Sequence, residues 1–131
     1  MTTTTKGGIS TISLVCIPSP DQDSAIEFYE KLGFEKRTDT PFGNGYRWIE
    51  VYPPSGTTGI ALAPPPQGKD AEGVETGIVL PTDDIDASHA HLKSLGVDVD
   101  AEVSRWGGPV PPMFWFRDPN GNKLMMVEPE A

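Results

Sequence analysis

Apolar residues along the chain come in short runs, and aspartate, glycine and proline punctuate them at regular places. A first run, Ile12 to Ile17, reads as a strand. Asp21 follows, where its side chain can accept from the free amides of a helix N-terminus, and the helix it opens extends to Leu32. Gly33 stands where a left-handed residue ends a helix, and the chain resumes as a strand near Phe34. A Gly-rich bend at Phe42 to Gly45, a strand at Tyr46 to Tyr52, a turn at Pro-Ser-Gly and a last strand complete the order βαβββ.

The same order occurs a second time. Shifted by 63 positions, Pro18, Asp21, Asp23, Leu32 and Gly33 fall on Pro81, Asp84, Asp86, Leu95 and Gly96. Val15 meets Ile78, Ile17 meets Leu80, Phe34 meets Val97 and Glu35 meets Asp98. Farther on the shift becomes 65, so Gly43 meets Gly108, and Pro54 and Gly56 meet Pro119 and Gly121. A two-residue insertion in the second copy accounts for the change. The second copy therefore reads as a strand at Gly77 to Leu80, a helix to Leu95, a strand near Val97, a bend at Trp106 to Gly108, a strand at Met113 to Arg117, a Pro-Asn-Gly turn and a final strand.

Four segments follow: a tail over 1–8, a first module over 9–62, a linker over 63–73 and a second module over 74–131. The linker, APPPQGKDAEG, has the proline and glycine content of an extended connection.

Composition narrows the partners. Ten Lys plus Arg stand against 19 Asp plus Glu, a formal charge of -9. That balance disfavours nucleic acid and favours small cations. No run of about 18 apolar residues is present, and the start MTTTTKGG lacks the apolar stretch of a secretory signal, so the expectation is a soluble cytoplasmic protein that avoids membranes. One cysteine excludes an intrachain disulfide.

With the repeat in place, the helix entry PSPDQDSAIEFYEKLGFE and the closing FRDPNGNKLMMVE resemble the vicinal oxygen chelate superfamily, which includes glyoxalase I, bleomycin-resistance proteins and extradiol dioxygenases. The resemblance runs from about Ile9 to Glu128. It implies an α+β fold of two tandem βαβββ modules whose curled mixed sheets surround a cavity. Function does not follow from the fold, which hosts many.

The family's metalloenzymes hold one divalent ion with four side chains, usually His or Glu, on four strands. Carried over by motif, those positions are Leu14, Ala61 or Ile60, Gly77 and Met125. None supplies an imidazole, carboxylate or thiolate, so neither a metal nor any other cofactor is expected. His89 and His91 do not replace them, because two residues apart on a helix they point about 200 degrees from each other. Asp21, Asp23, Asp84 and Asp86 are explained as helix-start residues.

Alternation along the third strands suggests what fills the cavity instead. Ile49 and Val51 match Phe114 and Phe116, which face the helices. Trp48, Glu50 and Tyr52, with Met113, Trp115 and Arg117, take the cavity side. Leu14, Cys16 and Met125 line it as well, and Trp106 on the neighbouring bend closes its mouth. Such a pocket is aromatic and adaptable, with Glu50 as a negative anchor or as a partner of Arg117. Flat or cationic molecules bind such surfaces at about 0.5 to 2 kcal/mol per contact.

The expected function is metal-free binding of a small aromatic or cationic ligand by a homodimer. The alternative is a lyase, isomerase or dioxygenase-type enzyme of the same superfamily. It would use Glu50 or Cys16 without a metal, or hold one at a non-standard site.

Overall fold

A computed structural model describes residues 6–43, 45–64 and 73–129. The parts of the expected tail and linker at 1–5 and 65–72 lie outside the described residues. The elements in chain order are β1 (Leu14–Pro18), α1 (Gln22–Lys31), β2 (Glu35–Gly43), β3 (Tyr46–Tyr52), β4 (Gly59–Ala63), β5 (Glu75–Pro81), α2 (Ile85–Ser94), β6 (Asp98–Val99), β7 (Met113–Arg117) and β8 (Lys123–Val127). They make two four-stranded mixed sheets, β1-β4-β3-β2 and β5-β8-β7-β6, of identical topology. In each, the first strand runs parallel to the last and the remaining pairs are antiparallel.

Both helices start as their sequences predict. Asp21 accepts from the amide of Ser24 at 3.1 Å, and Asp84 from that of Ala87 at 3.0 Å. Each cap is worth about 1 kcal/mol against alanine. Gly33 and Gly96 follow the last turns with φ of 104° and 80°, where a side chain would crowd the backbone. Asp23 and Asp86, inside the first turns, pair instead with Arg47 at 2.9 Å and Arg105 at 2.6 Å.

Two strands differ in their limits from the sequence reading. β1 starts at Leu14 rather than Ile12, which lies before the strand and is 67% exposed. β5 is longer than expected at both ends, and its pairing with β8 shifts register between Glu75 and Val79, around Gly77 at φ 72°. β2 has nine residues whereas its counterpart β6 has two. Past Val99 the second copy leaves the sheet edge: the amide of Asp100 still donates to the Trp115 carbonyl, while its side chain turns to the Trp115 amide and Arg117.

One core serves both modules. Ile17, Tyr29, Ile49, Val51, Leu62, Ile85, Phe114, Phe116 and Leu124 are all nearly inaccessible and belong to a single cluster. Phe28 of α1 meets Phe116 of β7 with ring centroids 6.4 Å apart, so the first helix packs on the second sheet. A buried polar node reinforces this junction. Asp118, in the turn after β7, accepts from the Tyr29 hydroxyl at 3.0 Å, from the Asn122 side chain at 3.0 Å and from the amides of Asn120 and Asn122, both at 2.9 Å. Asn122 in turn donates to the Pro18 carbonyl at 2.8 Å. Every polar atom of this carboxylate is therefore used, as burial requires. Burial and the neighbouring Asp118 charge push the Tyr29 phenol far above its usual range.

Candidate functional site

Strands β3 and β7 alternate as period two demands. Ile49, Val51, Phe114 and Phe116 are buried toward the helices, and Trp48, Glu50, Tyr52, Met113, Trp115 and Arg117 are half-buried on the other face. Strand register extends this helix-free face into rows. In the first sheet Cys16 pairs with Ala61 and Ala61 with Glu50; in the second Val79 pairs with Met125 and Met125 with Trp115. The rows occupy corresponding places in the two sheets. They also select Ala61 over Ile60 as the counterpart of Met125, since Ile60 pairs with Val51 on the helix side.

Leu14 opens β1, half-buried beside Gly59, and Cys16 two residues on is an exposed free thiol. Trp106 stands 74% exposed in the loop between β6 and β7. An indole this open covers no cavity in the single chain. Leu14, Ala61, Gly77 and Met125, at the four family positions, offer no donor suited to a hard or borderline divalent ion. At Gly77 the backbone adds a second obstacle, because at φ 72° a ligand-bearing side chain is strained. Among the described residues no three His, Cys, Asp or Glu come together as a metal site. The residues present do not fit the family's ion. His89 is engaged elsewhere, its Nε2 2.7 Å from the Asp100 carbonyl oxygen and its ring edge against Phe114, while His91 is exposed.

The two halves of the face carry different polar groups. In the first sheet, the Trp48 indole N–H donates to Glu50 Oε2 at 2.7 Å and the Tyr52 hydroxyl to Oε1 at 2.9 Å. This hydrogen bond, then burial and the Glu50 charge, raise the Tyr52 phenol above its usual range, with Arg37 opposing. The Arg37 guanidinium lies 4.5 Å from the Tyr52 ring centroid while donating to the carbonyls of Pro53, Pro54 and Gly56. Gly59 leaves room for the ring: a Cβ there would sit 2.7 Å from it.

In the second sheet Arg117 pairs with Asp100 at 2.8 Å, and the Lys123 ammonium lies 5.3 Å from the Trp115 ring centroid and 3.8 Å from Glu75. The expected Glu50–Arg117 pair does not form. Glu50 is engaged by Trp48 and Tyr52, and Arg117 by Asp100. Lys123 and Arg37 were missed from sequence. Lys123 was within reach, two residues before Met125 on the same strand face; Arg37 was not, because register shifts between Lys36 and Thr38 upset its parity.

A separate apolar groove of about 300 Å³ lies between β1 and β5, with Val15, Ile60, Ile78 and Leu80 in its lining and Thr57 and Thr58 beside them. None of the residues expected to contact a ligand lines it. No helix among the described residues is long and apolar enough to cross a membrane.

Comparison with known proteins agrees with this architecture. TnmS3, described as an antibiotic binding protein from Streptomyces sp. CB03234, is 34% identical, with a TM-score of 0.76 over 93% of this chain and 98% of its own. A Sphaerobacter thermophilus member of the glyoxalase/bleomycin resistance protein/dioxygenase superfamily is also 34% identical, with a TM-score of 0.78 over 92% of this chain and 98% of its own. YetH of Bacillus subtilis (strain 168) is 31% identical over 123 residues, 92% of this chain and 99% of that protein. The profile of the Glyoxalase/Bleomycin resistance protein/Dioxygenase superfamily matches residues 11–126, and the chain belongs to that superfamily.

Proposed function

We propose that this protein binds a small aromatic or cationic molecule without a metal and without transforming it, on the helix-free faces of its two sheets, as a homodimer. The observation that carries this reading is the placement of Trp48 and Trp115, half-exposed at the centre of strands β3 and β7. Leu14, Cys16, Glu50, Met113, Arg117 and Met125 are the further contacts, with Trp106 contributing from the rim. Apolar residues at the four metal positions support binding over the family's metal-dependent chemistry. The similarity to an antibiotic-binding protein points the same way. Glu50 is poorly placed as a general base, because both of its oxygens already accept hydrogen bonds. An unpaired thiol suits a reducing cytoplasm.

Titration with a panel of flat aromatic compounds, neutral and cationic, tests the reading. A ligand of this site quenches tryptophan fluorescence and raises the melting temperature, since a compound bound only by the folded state stabilises it. Trp48→Ala and Trp115→Ala each weaken that ligand while the protein stays folded. If both variants unfold and no compound moves the melting temperature, the tryptophans are structural and the reading fails.

A further inference from the structure

Glu50 holds the one carboxylate at the centre of the first sheet's helix-free face, and the obvious role for it is an anchor for a positive charge. Its surroundings assign it differently. The indole N–H of Trp48 occupies one oxygen at 2.7 Å and the phenol of Tyr52 the other at 2.9 Å. The three side chains sit at alternate positions of one strand, so the carboxylate bridges the ring before it and the ring after it. Tyr52 is fixed from other sides too, by the bare backbone of Gly59 and by Arg37. For the Trp48 ring, the polar contact found among the described residues is the one to Glu50.

We propose that Glu50 is a positioning residue: it fixes the orientation of the Trp48 ring, so that the site selects ligands by a flat face rather than by positive charge. This rests on the reading of the helix-free face as a ligand site. A cation arriving at Glu50 would have to share oxygens that already hold two donors. A flat ligand stacked on Trp48 gains instead from a ring whose rotation is already restricted, which lowers the ordering cost of binding. Glutamine at position 50 would keep both contacts, its oxygen accepting from the indole and its amide donating to the Tyr52 oxygen, whereas leucine removes both acceptors and leaves both rings untethered.

Acridine, neutral at pH 7.5, and N-methylacridinium, a permanent cation of nearly the same shape, separate the two roles. Binding of both is measured for the wild type, Glu50→Leu, Trp48→Phe and the double variant, alongside the indole N–H resonance of Trp48 in the ligand-free wild type and Glu50→Leu. Trp48→Phe keeps a ring and removes the donor. The expected result is that Glu50→Leu weakens both probes by the same factor, about fivefold, as loss of the indole hydrogen bond predicts. The double variant then loses no more than the weaker single variant, and the indole resonance moves in Glu50→Leu before any ligand is added. A loss for N-methylacridinium at least tenfold larger than for acridine makes Glu50 a charge anchor and overturns the proposal. An unmoved indole resonance overturns it independently, with or without ligand. If neither probe binds the wild type, these flat compounds are not ligands of the face, and the parent reading falls for this class together with the proposal.

Discussion

The Tyr29 hydroxyl and the Asp118 carboxylate, 89 positions apart in sequence, meet at 3.0 Å inside the junction between the two modules. Tyr29→Phe removes one donor from a buried carboxylate and is expected to cost about 1 to 2 kcal/mol in urea unfolding. Asp118→Ala strands several buried donors at once and costs more. The pH dependence has a definite sign. The phenol ionises far less readily in the folded state than in the unfolded chain, so the unfolded chain alone loses this proton near pH 10. Its contribution is complete below that pH and is lost as pH rises above it. Tyr29→Phe should remove this alkaline loss; an unchanged stability profile between pH 9 and 11 would contradict the role given to the pair.

Elemental analysis of the purified protein should find zinc, nickel, iron and manganese well below one per chain. Adding these ions should create no turnover of a hemithioacetal or a catechol. Stoichiometric metal retained at the helix-free face would show that donors from other positions have been recruited.

In solution the apparent mass should be near twice the 14.1 kDa of one chain and should not change with reductant. The lone cysteine is exposed on the helix-free face, so a dimer held through it as a disulfide would dissociate when reduced. A monomer at micromolar concentration would remove any ligand site shared between two copies.

Gly73→Ala should destabilise the protein markedly, and Gly59→Ala much less. A Cβ at position 73 would lie 2.1 Å from the carbonyl carbon of Gly121, a backbone atom that moves only with its turn. At position 59 the obstacle is the outer edge of the Tyr52 ring, a side chain that can yield at the cost of its contacts with Glu50 and Arg37. The expected signature of Gly59→Ala is a changed near-ultraviolet circular dichroism spectrum with a cooperative transition retained. Equal losses of stability in the two variants would contradict this difference.

Much of this fold was legible because it is written twice. The limits of β3 and β7, Tyr46–Tyr52 and Met113–Arg117, follow from alternation cross-checked between the copies, and both helix starts follow from a single capping aspartate. The strand near Val97 was legible but its shortness was not, because the side chain that replaces sheet pairing there, Asp100, acts on partners 15 and 17 positions away. The site was half legible. Which side chains share a face follows from parity along a strand; which ones touch depends on reach. Residues two apart on a strand are separated by about 7 Å, a gap that the long side chains of Trp48, Glu50 and Tyr52 close. Lys123 over Trp115 is the same case across neighbouring strands.

The turns Pro54-Ser55-Gly56 and Pro119-Asn120-Gly121 are counterparts in the repeat, yet they serve different masters. The first is gripped by Arg37 of its own half. The second is gripped from the opposite half: the Asp21 amide donates to the Asn120 side chain, and Tyr29 and Pro18 hold the residues on either side. The halves are thus no longer interchangeable. A tandem of two first halves would satisfy its own turns but lack this asymmetric lock, and exchanging their order would part the lock from its key. Duplication supplied two similar pieces; the division of labour between their turns is what commits them to a single arrangement.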